Sequence, residues 1–365
     1  MSAIDKQSLE DAINNYSDPY LNKNLHQLGA VKSLVCEGSK VVLTIQMPYV
    51  CEGIIGGMRQ ILETNLEFVE NVESVEINIG QKVAVHQNQN DLKSIDGVKN
   101  VIAVASGKGG VGKSTSAVNL ALALSQEGAN VGIVDADIYG PSIGIMLGTP
   151  EGTRPEIEDG KFFVPHKVHG IQAMSMALLA DDNTPVVWRG PKVSGALLQL
   201  VNQTKWNNLD YLIVDMPPGT GDIQLTLAQR VPVTGSVVVT TPQDIALLDC
   251  KKGIEMFRKV NIPVFGVIEN MSVHICSHCG SHEPIFGEGG GSRIAKEYST
   301  EVLGEMPLHK TIREQTDSGR PTVVAEPDSE IALLYRDIAR KVAARLSQQD
   351  EDPRHAFPNI AVSSD

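Results

Sequence analysis

From residue 98 onward, short apolar runs alternate with segments that have helical spacing of apolar residues. The runs are rich in small and β-branched residues and are predicted strands: VKNVIAVAS (98–106), ANVGIVDAD (129–137), LDYLIVDMP (209–217), TGSVVVTTP (234–242) and IPVFGVIEN (262–270). Segments such as TSAVNLALALSQEG and GALLQLVNQ lie between them and are predicted helices. Continuous apolar strands that alternate with helices predict an α/β unit, with a mainly parallel sheet covered by helices on both faces.

The first 86 residues show a different order of patterns. Apolar residues recur at helical spacing in KQSLEDAINN and GGMRQILETNLEFVEN, whereas VESVEINI alternates like a strand. AVKSLVCEG and KVVLTIQM predict two strands joined by a tight turn at Gly38 and Ser39. This α-β-β-α-β order predicts a small α+β domain over residues 1–86.

Polar segments mark the boundaries of the two units. HQNQNDLKSIDG has almost no apolar residues, so residues 87–97 are predicted to form a linker. The α/β unit is then expected to span residues 98–345 and to end with the helical pattern SEIALLYRDIARKVAARLSQQ. The acidic, proline-containing segment of residues 346–365 is predicted to be a flexible tail.

Composition and charge narrow the classes of function. The chain has 365 residues, of which 42% are hydrophobic, and a formal net charge of −13. Such a charge repels DNA phosphates and anionic lipid headgroups, so neither nucleic acid nor a membrane is expected as a partner. The chain begins without the basic and apolar regions of a signal peptide, and it has no apolar run long enough to span a bilayer. A cytoplasmic protein is expected.

A phosphate-binding loop lies between the first predicted strand and helix of the α/β unit. Residues 107–114 read G-K-G-G-V-G-K-S, a full match to G-x-x-x-x-G-K-S/T in the strand–helix context that this motif requires. Lys113 is expected to reach the β- and γ-phosphates of a nucleotide, Ser114 to ligate Mg²⁺, and Thr115 to contact another phosphate oxygen. The backbone cradle for the phosphates consists of Gly107, Lys108, Gly109, Gly110, Val111 and Gly112.

Three aspartates follow predicted strands of the same unit. Asp135 and Asp137 end the run VGIVDAD, and Asp215 directly follows YLIV. Ligands of open parallel sheets bind at the carboxyl ends of the strands. Three carboxylates near a phosphate loop can therefore hold Mg²⁺ and orient a water molecule, although each aspartate alone is equally compatible with a helix cap.

The phosphate loop contains a second lysine, Lys108, which its basic motif does not explain. A solvated loop residue is the simplest interpretation. The whole stretch KGGVGKST, however, resembles the deviant Walker A signature of the MinD/ParA/nitrogenase-iron-protein group of ATPases. In that group the extra lysine crosses a dimer interface to the phosphates bound by the partner subunit. The resemblance implies that Lys108 acts in trans and that ATP hydrolysis requires a homodimer.

Cysteine spacing indicates a second candidate site. Cys276 and Cys279 form C-S-H-C, a spacing at which two thiolates can share one metal centre. Two thiolates are too few for a [4Fe-4S] cluster, but a two-fold dimer would bring four together. A zinc ion bound within one chain by both cysteines and two of His274, His278 and His282 is the alternative, and the chemistry of the residues leaves both open.

Further stretches make the resemblance more specific. DADIYGPS, DMPPGTGD, TTPQD and GVIENMSVHICSHCGSHEPIFGEGGG are similar to the Mrp/ApbC family of iron–sulfur cluster carrier ATPases, and the similarity covers most of residues 98–345. It implies that Cys276 and Cys279 bind an iron–sulfur cluster between two subunits. It also implies four further roles: water positioning in switch I by Asp137, a place beside the Mg²⁺ shell for Asp135, the Walker B-type carboxylate for Asp215 and adenine recognition by Asn270.

The small domain resembles, through an early Asp-Pro, LGAV and a cysteine after TIQMPYV, the iron–sulfur assembly domain often fused to these ATPases. It departs from that domain at Tyr20, where the family has an acidic residue, and at Glu52, where it has proline. Cys51 lies at a predicted helix start, where a thiolate is stabilised, and is a candidate cluster or partner contact. A buried, inert cysteine is the alternative, and this is the prediction for Cys36 and Cys250.

Together these features predict an ATPase that binds an iron–sulfur cluster and transfers it to apo iron–sulfur proteins. ATP, Mg²⁺ and the cluster are its expected ligands, and a second copy of the chain and scaffold proteins are further expected partners. The alternative is a P-loop ATPase with a structural zinc site and a regulatory or MinD/ParA-like positioning role. Positioning requires an amphipathic or basic surface, which the acidic chain does not offer.

Overall fold

The architecture comes from a computed structural model that describes residues 4–89, 92–137, 140–150, 153–176, 190–276 and 278–354. Its helices are α1 (Lys6–Asn14), α2 (Glu52–Glu67), α3 (Lys113–Gln126), α4 (Ile143–Met146), α5 (Gly190–Gln203), α6 (Asp222–Arg230), α7 (Asp244–Lys259), α8 (Gly290–Glu297), α9 (Lys310–Asp317), α10 (Thr322–Ala325) and α11 (Glu330–Leu346). Its strands are β1 (Val31–Glu37), β2 (Lys40–Met47), β3 (Ser74–Gln81), β4 (Val98–Ala105), β5 (Val131–Asp135), β6 (Ile157–Glu158), β7 (Phe162–Phe163), β8 (His166–Val168), β9 (Ile171–Ser175), β10 (Leu209–Asp215), β11 (Gly235–Thr240), β12 (Val264–Ile275), β13 (His282–Glu283) and β14 (Val302–Leu308).

The small N-terminal unit has the predicted α-β-β-α-β order. β1 pairs antiparallel with β2, and β2 pairs parallel with β3. Alternate residues of β2, from Val41 to Met47, are buried, because successive side chains of a strand point to opposite faces. This buried face belongs to one core with Leu9 of α1 and Leu62 of α2. The predicted α+β fold of this unit is confirmed.

The larger unit is built on a nine-stranded sheet. Its order is β13-β12-β11-β4-β10-β5-β9-β8, and β14 pairs with β12. Within the described ranges, antiparallel pairing in this sheet is confined to β8 with β9 and β12 with β13. All the other neighbours, including the central β11-β4-β10-β5, are parallel. The sheet is therefore mainly parallel, as predicted.

Helices cover both faces of this sheet and form two cores. On one face, α3 and α11 pack with Ile102 of β4 in a cluster that includes Leu120 and Tyr335. On the other face, α5 and α7 pack with Ala103, the next residue of β4, in a cluster that includes Leu197. Adjacent residues of a strand thus enter different cores, which explains why the central strands are continuously apolar.

The helices differ in how far they are buried, since α3 is buried along most of its length whereas α11 is amphipathic. Among the described helices, α11 is the longest at 17 residues, and it buries Ala332, Tyr335 and Ile338 while Arg336 and Asp337 stay outside the core. In the part of the chain that the structure describes, no helix combines the length and apolar composition that crossing a bilayer requires.

The two units meet at the C-terminal end of α3, where Glu127 is fully buried. Its Oε1 accepts hydrogen bonds from Arg336 Nε and Arg340 Nη1, each at 2.7 Å. Its Oε2 accepts a hydrogen bond of 2.7 Å from the N–H of Gly53, in the first turn of α2 in the small domain. We call Glu127, Arg336, Arg340 and Gly53 the interdomain clamp.

Helix dipoles explain what this carboxylate does. The C-terminal end of α3 carries partial negative charge, so a carboxylate there is unfavourable for α3 itself. The first amides of α2 carry the opposite partial charge and face it. Gly53 N–H donates to the Glu127 carboxylate, and Glu52 N–H donates to the Glu127 carbonyl oxygen. Glu127 therefore stabilises the contact between the units at a cost to its own helix.

Tyr20, where the small domain departs from the family pattern, lies in the same interface. Its hydroxyl donates a 3.0 Å hydrogen bond to Asp337 Oδ1 and accepts one of 2.5 Å from Arg340 Nε. Its ring meets the ring of Tyr49 edge-on, with 6.3 Å between the centroids. The Tyr49 hydroxyl in turn donates a 2.6 Å hydrogen bond to the buried carboxylate of Asp18. The phenol at position 20 thus connects the clamp residue Arg340 with Tyr49 and Asp18 in the small domain.

The chain beyond α11 differs from the prediction. Gln87 N–H donates to the carbonyl oxygen of Asp350, and Asp352 N–H donates to that of Val85, each at 2.9 Å. These bonds give hydrogen-bond partners to main-chain groups at the end of the small domain. This explains why the segment after α11 runs along that end of the domain. The prediction of a flexible tail is therefore wrong for residues 347–354, and residues 355–365 lie outside the described residues.

Replacing Glu127 with Gln should destabilise the protein. The substitution leaves the guanidinium groups of Arg336 and Arg340 without their buried countercharge, which costs about 3 kcal/mol. We expect a lower midpoint of urea unfolding, measured by circular dichroism. The control is Glu76→Gln, which removes an exposed ion pair with Lys40 and should leave the midpoint unchanged. A wild-type midpoint in Glu127→Gln would contradict the role assigned to the clamp.

Candidate functional site

The phosphate loop connects the carboxyl end of β4 to the first residue of α3, in the context predicted for it. Gly112 has φ of 81°, in the left-handed region, and a Cβ there would lie 2.1 Å from Asn270 Nδ2. A Cβ on Gly107 would lie 2.0 Å from the carbonyl oxygen of Asp249 in α7. The glycines are therefore required both by backbone conformation and by the close approach of β12 and α7.

Lys113 and Ser114 converge on one buried carboxylate. Lys113 Nζ lies 2.6 Å from Asp215 Oδ1, and Ser114 Oγ donates a 2.6 Å hydrogen bond to Asp215 Oδ2. Both members of the ion pair are buried. Burial raises the pKa of Asp215, while the Lys113 ammonium opposes that rise. In this arrangement Asp215 holds the lysine at the position from which it can exchange to a phosphate.

Asp135 lies directly opposite Asp215 in the β5–β10 pairing, so both carboxylates occupy one edge of the sheet. Its Oδ1 accepts a hydrogen bond from the N–H of Asp137 at 3.1 Å. Its Oδ2 accepts from the N–H groups of Ser142 and Ile143 at 2.9 and 3.0 Å. Burial, together with the charge of Asp215, raises the pKa of Asp135 to about 7. Asp135 thus holds the loop that carries Asp137, a contact that strand-end position alone does not reveal.

The oxygen donors at this edge fit Mg²⁺. Ser114 Oγ and the Asp215 carboxylate are within hydrogen-bonding distance of each other. Hydroxyl and carboxylate oxygens are the ligands that Mg²⁺ prefers. Asp137 is near the same edge, because its N–H donates to Asp135 Oδ1, and its charge contributes to the raised pKa of Asp215. Asp135 fits less well, because backbone amides already occupy both of its oxygens.

Lys108 is exposed on the outer side of the phosphate loop. Ser106 Oγ donates a 2.8 Å hydrogen bond to its carbonyl oxygen, which fixes the backbone. Within the described part of the chain, the Lys108 ammonium forms no ion pair. The structure therefore does not bring Lys108 to the Lys113–Asp215 pair of its own chain.

Asn270 has a contact that the adenine prediction did not include. Its Nδ2 donates a 2.8 Å hydrogen bond to the carbonyl oxygen of Val111, and the side chain is buried. The residue therefore anchors the phosphate loop to β12. The spacing of motifs in the sequence does not reveal this contact, because 159 residues separate the two partners.

The two cysteines of C-S-H-C lie at the tip of the hairpin formed by β12 and β13. Cys276 N–H donates to the Ser281 carbonyl oxygen at 3.0 Å, and Gly280 N–H donates to the Cys276 carbonyl oxygen at 2.8 Å. Cys276 is half-buried and Cys279 is exposed. Hydrogen bonds from Ser281, with a further one from Cys276, lower the pKa of the Cys279 thiol. A lowered thiol pKa favours the thiolate, which is the form that binds metals.

The zinc alternative needs histidines beside these thiols. His274 pairs with Glu283 across the hairpin and Ile275 pairs with His282, so the two histidines lie on its two strands. Among the residues that the structure describes, no three of His, Cys, Asp or Glu converge as a set that could hold a metal ion. In the part of the chain that the structure describes, Cys276 and Cys279 are thus a pair of soft ligands without a third ligand beside them.

The remaining cysteines differ in environment. Cys51 is buried at the N-terminal end of α2, and burial, with the charges of Asp18 and Glu127, raises the pKa of its thiol to about 12. The expected stabilised thiolate is therefore wrong, because burial outweighs the helix terminus. Cys250 is in the core, as predicted. Cys36 is exposed, contrary to prediction, because β1 is an edge strand with most of its residues facing solvent.

Replacing Asp215 with Asn should strengthen nucleotide binding in the absence of Mg²⁺. The phosphate would no longer compete with a carboxylate for the Lys113 ammonium. We expect ADP affinity, measured calorimetrically in EDTA, to rise about tenfold, the equivalent of one hydrogen bond to a charged group. The matched control is Asp210→Asn at the other end of β10, where Asp210 pairs with Lys99, and it should leave ADP affinity unchanged. Equal or weaker ADP binding by Asp215→Asn would contradict the proposed exchange.

Comparisons with known proteins agree with this geometry. Residues 97–343 match the family described as NUBPL iron-transfer P-loop NTPase, and residues 6–79 match the family described as iron-sulfur cluster assembly protein. An iron-sulfur cluster carrier protein from Pseudomonas fragi is 64% identical over 278 residues, which are 76% of this chain and 97% of that protein. The iron-sulfur cluster carrier protein of Escherichia coli (strain K12) is 50% identical over 337 residues, 92% of this chain and 91% of that protein.

A solved structure gives the same result. A nucleotide-binding protein from Archaeoglobus fulgidus in complex with ADP is 35% identical, with a TM-score of 0.56, and the match covers 64% of this chain and 91% of that one. The family match extends over most of the chain, and the Escherichia coli relative aligns with nearly all of it. The chain therefore belongs to the family of iron-transfer P-loop NTPases, as its phosphate loop and cysteine pair predict.

Proposed function

We propose that the protein is a homodimeric, Mg²⁺-dependent ATPase that carries an iron–sulfur cluster and passes it to apoproteins. The observation that carries this proposal is the pair of Cys276 and Cys279 directly after β12, the strand that also anchors the phosphate loop. A nucleotide site with a pair of metal-binding thiols is the combination that a nucleotide-controlled metal carrier needs. The names of the relatives, iron-sulfur cluster carrier proteins, support the same function.

For hydrolysis, the residues of the chain position and stabilise the phosphates. Lys113 leaves Asp215 for the β- and γ-phosphates, and the loop amides and the N-terminus of α3 add positive field. Asp137, held in place through Asp135, orients the attacking water. Ser114 and Asp215 would hold Mg²⁺, which would supply charge neutralisation at the phosphates. The adenine contact of Asn270 is part of this proposal.

A homodimer completes both sites. Lys108 is exposed and unpaired within the described part of its own chain, so it is available to the phosphates of a partner. Cys276 and Cys279 supply two thiolates, and a [4Fe-4S] cluster normally takes four. A two-fold axis near the hairpin would bring four sulfurs together. The cluster then bridges two subunits, and ATP binding favours the same dimer.

Delivery of the cluster is an exchange of ligands. Each bond from iron to a carrier thiolate breaks as a bond to a thiolate of the recipient forms. The recipient thiol loses its proton, and the released carrier thiolate gains one. No electron is transferred, so no oxidant or reductant is needed. Apo iron–sulfur proteins are the recipients, and scaffold proteins are the proposed donors.

Lys108→Ala should reduce ATP turnover by at least about 100-fold while ATP still binds, because the variant lacks one donor to the transition-state phosphate. The control is Lys310→Ala, which removes an exposed lysine from α9. Phosphate release is measured for both, and ATP binding is measured by calorimetry. Wild-type turnover in Lys108→Ala would rule out its catalytic role.

A mixing experiment separates action in trans from action within one chain. Lys108→Ala and Lys113→Ala are each expected to be inactive. A mixed dimer has one complete site if Lys108 acts in trans. The Lys108→Ala subunit keeps its own Lys113 and receives Lys108 from its Lys113→Ala partner. Random mixing should restore about a quarter of wild-type turnover. No recovery, in mixtures shown to exchange subunits, would assign Lys108 to its own site.

Anaerobic reconstitution with iron and sulfide tests the cargo. The wild type should gain a broad absorbance band near ~400 nm and about one four-iron cluster per dimer. Cys276→Ala/Cys279→Ala should lose both, whereas Cys36→Ala, which removes an exposed thiol elsewhere, should retain both. Stoichiometric zinc without a chromophore would instead support the regulatory ATPase with a structural zinc site.

A further inference from the structure

One strand connects the nucleotide site to the cysteine pair. β12 runs from Val264 to Ile275, and Cys276 follows it directly. Asn270, which anchors the phosphate loop, precedes Cys276 by six residues, and the strand between them is irregular: Met271 has φ of 56°, and the register with β14 shifts between Asn270 and His274. Because one strand carries both Asn270 and the first arm of the hairpin, movement of β12 at the phosphate loop has a covalent route to the base of the cysteine hairpin.

Two adjacent residues of β12 face opposite sides of the sheet. Ile268 belongs to the core that contains α3, whereas Val267 belongs to the core that contains α7 and α8. Side chains alternate along a strand, so Asn270 lies on the side of Ile268 and Glu269 on the side of Val267. The pair thus reaches two different segments of the chain.

Glu269 reaches the segment that returns from the cysteine hairpin. Its side chain is buried, and its Oε2 accepts a hydrogen bond from the N–H of Gly291 in the first turn of α8. A Cβ on Gly290 or Gly291 would lie only 3.1 Å from this oxygen, so the two glycines allow α8 to begin beside the carboxylate. Between Glu269 and Gly291 the chain passes through both cysteines. The hydrogen bond therefore joins the two ends of the segment that carries both cysteines.

The carboxylate of Glu269 meets the positive N-terminal end of α8, which is the favourable end of a helix for a negative charge. Burial, with the nearby charge of Glu305, raises the pKa of Glu269, which shows that the charged form is disfavoured. A buried charge without a full countercharge is costly, and an apolar residue would suit the surrounding core better. Glu269 instead bonds one particular amide, which indicates a positional role.

We propose that Glu269 is a positioning residue that fixes the cysteine hairpin to β12, so that nucleotide-dependent movement of the phosphate loop, transmitted through Asn270, changes the setting of Cys276 and Cys279. The proposal rests on the proposed function, because it assigns the connection between its two sites. Asn270 contacts the phosphate loop, and Glu269 contacts the segment that returns from the hairpin. One peptide unit therefore joins the two contacts.

The test measures the reactivity of the thiols without any cluster. Iodoacetamide labelling of Cys276 and Cys279 is followed by mass spectrometry with and without Mg²⁺ and a non-hydrolysable ATP analogue, and exposed Cys36 serves as an internal reference. In the wild type, we expect the nucleotide to change the labelling rate by at least about fivefold, the lower end of typical coupling between sites. Glu269→Met, which keeps the side-chain length but cannot accept the Gly291 hydrogen bond, should lose most of this response.

Two controls accompany this variant. Glu269→Gln retains an acceptor for Gly291 N–H and should recover the nucleotide response. Glu305→Met, which alters the exposed residue paired with Glu269 on β14, should respond like the wild type. Nucleotide affinity should be unchanged in all three variants. A full response in Glu269→Met would overturn the proposal, because direct shielding of the thiols by nucleotide or by dimerisation would then account for it.

A second measurement needs no substitution. Hydrogen exchange of the wild type should show that the nucleotide changes protection at Gly291 and the β12–β13 hairpin but not at the distant β6–β7 hairpin. Protection changes that stop at the phosphate loop would also overturn the proposal. If the wild type binds a cluster and hydrolyses ATP but shows no such coupling, the inference fails while the proposed function stands.

Discussion

Parallel pairing of β4, β10 and β5 is the constraint on which the nucleotide site depends. Parallel strands end at the same edge of a sheet, so the loop after β4 and the carboxylates that end β10 and β5 meet there. Asp215 and Asp135 are direct partners in the register, and Lys113 reaches Asp215 from the first turn of α3. A shift of register by one residue would turn one of these carboxylates to the opposite face of the sheet.

Buried charge is used for position more than for stability. The Lys113–Asp215 pair holds the phosphate-binding lysine, Asp135 holds a loop through backbone amides, and Glu269 holds the start of α8. Each of these groups costs free energy to bury, and each is compensated by particular hydrogen bonds. Each such site has one favoured geometry, and the internal contact of its charged group is one that another ligand can replace. This is a useful property where a phosphate or a metal ligand has to replace an internal contact.

The small domain is attached to the end of α3 that lies away from the phosphate loop. Glu127 closes α3 at one end, and Lys113 begins it at the other. Cys51, which lies two residues before the clamp residue Gly53, is buried, and burial raises the pKa of its thiol. The domain is thereby tied to the same helix that begins at the phosphate loop, and α11 takes part through Arg336 and Arg340.

The sequence by itself determined both fold classes, the phosphate loop, the strand-end aspartates and the C-x-x-C pair. These features depend on local patterns: apolar periodicity, glycine spacing and the C-x-x-C interval. Tertiary structure alone decided which groups meet. Asn270 bonds a carbonyl 159 residues away, Glu127 bonds arginines more than 200 residues away, and burial in the packed core raises the pKa of the Cys51 thiol. Such contacts leave no periodic trace along the chain, because they depend on how packed elements bring distant side chains together and not on the conformation of any one segment.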